Sequence, residues 1–120
     1  MTKKDLLDSI EFLLEVVNNL YSKGTGEDAT KEPGDKKKEH DKWADDLDEW
    51  ADELDTAQNR LAKRIIREND TGYVKITGEL GTVISGIKKD LTELENVRNV
   101  LNGVKQAVGL VTQVVTLLGV

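Results

Sequence analysis

The chain has 120 residues, no cysteine and a formal charge of −6. These totals exclude disulfide frameworks and cysteine-based zinc or redox chemistry. They also argue against DNA or RNA as a main partner, because phosphate binding needs a basic footprint. At 38% hydrophobic and 33% charged, the chain is too apolar for disorder and too polar for a membrane bundle. Its length suits a single domain over 1–120, and one proline with 4% aromatic residues suits an all-α fold.

The spacing predicts a first helix over 3–22. Leu6, Leu7, Ile10, Leu13, Leu14, Val17, Leu20 and Tyr21 form a broad apolar stripe at helical intervals. Thr2 is placed to cap it, and Asp5 three residues on completes a capping box with an acid in place of the usual Glu. Lys3 and Lys4 are followed by Asp5, Asp8, Glu11 and Glu15, which is no signal-peptide pattern, so a soluble, cytoplasmic setting is the default expectation. Residues 24–39, GTGEDATKEPGDKKKE, read as a disordered linker, with Ala29 their only apolar residue. The Lys36–Lys38 run is surrounded by acids and reads as solvated.

A second helix is expected over 40–69. Its seam is Trp43, Leu47, Trp50, Leu54, Ala57, Leu61 and Ile65, with steps that alternate between four and three as on a coiled-coil face. Trp43 and Trp50 lie one heptad apart within a near-duplication, WADDLDE followed by WADELDT. Asn69–Gly72 reads as a tight turn.

A third helix is expected over 73–118, about 70 Å long if unbroken. Its seam runs from Tyr73 through Ile76, Leu80, Val83, Ile87, Leu91, Leu94, Val97, Leu101, Val104, Val108, Val111 and Val115 to Leu118. Glycines at 78, 81, 86, 103 and 109 mark a kink or a close helix approach, and a break near Gly78–Gly81 is the first place to look. The β-branched 73–77 also allow a short strand, but a lone strand would have nothing to pair with. The short turn implies that the second helix runs antiparallel to residues 73–100. That leaves 100–120 for the first helix or a second copy to cover. The expectation is an elongated antiparallel hairpin or bundle of three helices.

No catalytic constellation emerges. His40, the only histidine, sits between Glu39 and Asp41 and has no metal-ligand spacing around it. A Gly-rich phosphate loop is absent, since Gly78-Glu79-Leu80-Gly81 lacks the Gly-Lys-Ser/Thr ending. Asp45, Asp46, Asp48, Glu49, Asp52, Glu53 and Asp55 read as a solvated face without calcium-loop spacing. No cofactor, metal or enzymatic activity is therefore expected.

The informative feature is the apolar end. From Gln106 onward there are 15 uncharged residues, short of the about 20 that span a bilayer. The reading is a non-enzymatic helical module that self-associates or binds another helical protein. Its interface is expected at Leu6, Ile10, Leu13, Val17, Trp43, Trp50, Leu101, Val104, Val108, Val111, Val115 and Leu118. The alternative is a membrane-associating protein that uses residues 100–120. An amphipathic hairpin with an apolar tip is loosely similar to subunits of helical pore-forming toxins. That likeness is of layout alone and implies contact with a lipid surface.

Overall fold

The computed structural model describes the backbone of residues 1–25, 34–92 and 97–119, and the side chains of 1–21, 43–92 and 98–119. The described residues are all-α, in four helices where three are expected: α1 (Lys3–Thr25), α2 (Gly34–Ala62), α3 (Thr71–Leu91) and α4 (Val97–Leu118). They pack as two hairpins. α1 lies on α2, α3 lies on α4, and the hairpins join mainly through α2 against α4. α1 touches α3 and α4 more lightly, and α2 and α3 are diagonal, out of contact.

The expected third helix is broken, and the break is not at Gly78–Gly81, which lie inside α3. Thr92 closes α3, its N–H turned to the carbonyls of Asp90 and Lys89 and its hydroxyl donating to Lys89 O at 2.6 Å. Leu94 and the side chain of Val97 lie outside the described residues. Folding the apolar stretch in two lets one half bury the other. A 70 Å rod becomes part of a body with a long axis of 50 Å. Gly103 sets the closeness of the two halves: a Cβ there would meet Ile87 Cγ1 at 2.7 Å.

The other boundaries differ as well. α1 continues to Thr25 and α2 begins at Gly34, so 24–25 and 34–39 are helical rather than linker. The run DKKKEHDK holds no breaker. The linker's remaining 26–33 lie outside the described residues. α2 stops at Ala62 instead of residue 69. Lys3 of α1 puts its Nζ on the Ala62 carbonyl at 2.9 Å and the Arg64 carbonyl at 2.7 Å, taking up acceptors left at the helix end. Arg64 does the same for α4, its Nη2 donating to Leu118 O at 2.7 Å. The turn predicted at 69–72 lies slightly earlier, where Asp70 N–H bonds Arg67 O at 3.1 Å. Asp70 then caps α3, accepting from Tyr73 N–H at 3.1 Å. The box at the start of α1 forms: Asp5 N–H donates to Thr2 Oγ1 at 3.1 Å and Thr2 N–H to Asp5 Oδ2 at 3.3 Å. Hydrogen bonding from the Thr2 side chain, then from its backbone N–H, holds the Asp5 carboxyl below its ordinary value.

Two registers organise the core. Lys3 beside Arg64 fixes the antiparallel α1–α2 pair, and carrying that alignment along sets Leu6 level with Leu61, Leu13 with Leu54 and Leu20 with Leu47. All six are buried, at intervals of one heptad. On the other side, Arg64 beside Leu118 and Gly119 fixes α2 parallel to α4. This keeps α2 antiparallel to α3, as expected, but corrects its placement, because α2 does not pack on α3. α2 covers the apolar C-terminal helix instead. Ile65, the last residue of the predicted α2 seam, lies beyond the helix and is 94% exposed.

Candidate interaction surfaces

The residues predicted to meet a partner divide into two groups. Leu6, Ile10, Leu13, Val17, Leu101, Val104, Val108 and Val111 are buried in the core of a single chain. Trp43, Trp50, Val115 and Leu118 are partly buried and pack against that core from its edge. α4 buries more than the single seam: Val100, Ala107, Leu110 and Val114 are also inside. The covering that its composition demands comes from α2 and α3 of the same molecule, with α1 in a smaller part.

Furrows stay accessible on both sides of α4, one against α3 beside Thr82 and Gln106 and one against α2. Between the middle of α2 and the first turns of α4 the second is a groove of about 530 Å³ walled by Trp43, Asp46, Glu49 and Trp50 on α2 and by Arg98, Leu101, Asn102 and Lys105 on α4. Further along, a shallower depression of about 310 Å³ lies between Asp52, Glu53, Thr56, Ala57 and Arg60 on α2 and Thr112 and Val115 on α4. The parallel register brings two heptad intervals side by side, Trp43 to Trp50 and Arg98 to Lys105. One wall is aromatic and acidic, the other basic. Asp46 and Glu49 belong to the acidic run that reads as a solvated face, and nothing local marks Arg98 or Lys105 as their neighbours. Their pairing depends on α2 and α4 running the same way.

Other chemistry is sparse. Among the described residues no group of three or more His, Asp or Glu side chains is arranged to hold a metal ion. His40 lies on α2, with its side chain outside the described residues. The seven acids of 45–55 lie along α2, most of them exposed.

One polar group stands apart. Tyr73 is fully buried, and its hydroxyl has no hydrogen-bond partner among the described residues. Burial, then the nearby Glu68 and Asp5 carboxylates, push its pKa from 10.0 up to about 12. The folded state thus keeps this proton where the unfolded chain has lost it. The associated stability is intact below pH 10 and is lost as pH rises towards 12. Tyr73→Phe is expected to remove that dependence and, at neutral pH, to stabilise by about 1 kcal/mol by deleting an unsatisfied buried group. Denaturant unfolding of both proteins between pH 9 and 12 checks this. Parallel pH profiles would contradict it.

Comparison with protein-family models, with curated proteins and with solved structures finds no match to this chain.

Proposed function

We propose that the protein is a non-enzymatic helical module that self-associates through the α2–α4 furrow. The observation that carries this reading is the pair of tryptophans, Trp43 and Trp50, left partly exposed one heptad apart beside Leu101. A tryptophan that lines an accessible groove is among the side chains that most often dominate binding energy. The opposite charges of the two walls make the groove self-complementary. A twofold pairing sets Asp46 and Glu49 of one copy against Arg98 and Lys105 of the other. Another helical protein with the same apolar-acidic-basic pattern would fit equally well.

Light scattering coupled to size exclusion tests the reading across a concentration series. The wild type is expected to gain mass with concentration, with a blue shift of tryptophan emission. Trp50→Ala is expected to weaken association at least about tenfold while helicity is unchanged. A constant monomer mass with invariant emission would sink self-association.

One observation speaks for the lipid alternative. Arg98–Leu118 of α4 is long and apolar enough to cross a membrane. Its buried face is nevertheless the core of the bundle, so entry of α4 into a bilayer requires the hairpins to separate.

A further inference from the structure

We infer that the end of the bundle formed by the α2–α3 connection docks on an anionic lipid surface without opening the core. Ile65 sits on that connection with 94% of its surface exposed, the most exposed large apolar residue described. Leu117, 46% exposed at the end of α4, shares a shallow depression of about 240 Å³ with it, together with Arg64 and Arg67. Lys63 is exposed one position before Arg64, and the first turn of α1 brings Lys3 and Lys4 to the same end.

Charge sets this end apart from the rest of an acidic chain. It holds five bases, Lys3, Lys4, Lys63, Arg64 and Arg67, against three acids, Asp5, Glu68 and Asp70. Backbone engages all three acids, Asp5 accepting from Thr2 N–H, Glu68 from Lys3 N–H at 2.6 Å and Asp70 from Tyr73 N–H, and it also holds Lys3 and Arg64, which donate to the carbonyls of Ala62, Arg64 and Leu118. Among the described residues neither Lys63 nor Arg67 is in an ion pair. The seven acids of 45–55 lie further up α2, from about 10 Å to about 25 Å from its C-terminal end. At physiological salt most of them are more than a Debye length, about 8 Å, from a surface met by this end.

An isoleucine ringed by cations matches the boundary between acyl chains and anionic headgroups. Ile65 and Leu117 need an apolar phase directly beneath a layer of negative charge, and the surface of an anionic bilayer supplies both. The docked molecule stands with its long axis near the membrane normal, and α4 stays in the core.

Co-sedimentation with vesicles tests this, comparing phosphatidylcholine alone with phosphatidylcholine containing phosphatidylglycerol. Binding is expected only to the second, falling as salt rises. The Lys63→Gln/Arg67→Gln double variant is expected to lose about 25-fold in affinity, about fivefold per cation, and Ile65→Ser several-fold. These positions are exposed, so the circular dichroism melt should match the wild type. Amide exchange in α4 should stay slow on the vesicle. Equal binding to neutral vesicles, no binding to anionic ones, an unaffected double variant, or loss of α4 protection on binding would each overturn the inference. So would oligomers in plain buffer that the double variant dissolves, which would assign this end to a second copy of the chain.

Discussion

Val104→Asp is expected to abolish the cooperative thermal transition altogether. Val104 is 0% exposed at the centre of α4. Nothing basic lies within its own helix except Arg98 and Lys105, which face the outer furrow. A carboxylate forced into that position is either desolvated without a partner or protonated at a cost of several kcal/mol. A domain of this size has only about 5–15 kcal/mol in total. Gln106→Asp, two positions along on an exposed face, should stay within about 0.5 kcal/mol of the wild type. Thermal melts followed by circular dichroism separate the two. A Val104→Asp protein that melts like the Gln106→Asp protein would show that α4 is not core.

The second large effect is a change of sign for one substitution at different glycines. Gly103→Ala puts a methyl 2.7 Å from Ile87 Cγ1 and 3.4 Å from its Cδ1. Ile87 is 1% exposed and β-branched, so it has little freedom to move aside. Over-packing of this kind costs about 1–3 kcal/mol and outweighs the gain of up to about 1 kcal/mol from alanine's helix propensity. At Gly78, Gly86 and Gly109 an added Cβ meets nothing within 4 Å, and all three are exposed within helices. Alanine there should simply stabilise, by about 2 kcal/mol for the triple variant, since the sites are far enough apart to add. Urea unfolding of Gly103→Ala and of the triple variant should move the midpoint in opposite directions. Equal signs would mean that the α3–α4 contact is looser than described.

Much of this architecture is written in local pattern. The α1 stripe, the heptad of α2 as far as Leu61 and the Thr2–Asp5 box depend on near neighbours, and each is where the spacing put it. The break after Leu91 was hidden for a physical reason. When a helix folds back as a hairpin, both arms face the same core, so the apolar interval continues across the turn almost as in a straight rod. The nearest signal was a step of four from Ile87 to Leu91 followed by two steps of three to Leu94 and Val97, with no glycine or proline to mark it. The end of α2 was hidden differently. Lys3, 59 positions away, terminates it, and no window of sequence contains that partner. The same distance effect governs the furrow. Trp43 and Trp50 were legible as a pair, but the wall opposite them follows only from α2 running parallel to α4.

The parallel packing of α2 on α4 carries the account, because it makes the chain cover its own apolar end and creates the groove assigned to self-association. The absence of native cysteine allows it to be measured cleanly. Spin labels on Thr56→Cys and Thr112→Cys, positions that wall the same depression, report one distance by pulsed electron resonance. Dilution into unlabelled protein removes any contribution between copies. A short, narrow distance that survives dilution is the predicted result. A long or broad distribution, or a short one that vanishes on dilution, would contradict it.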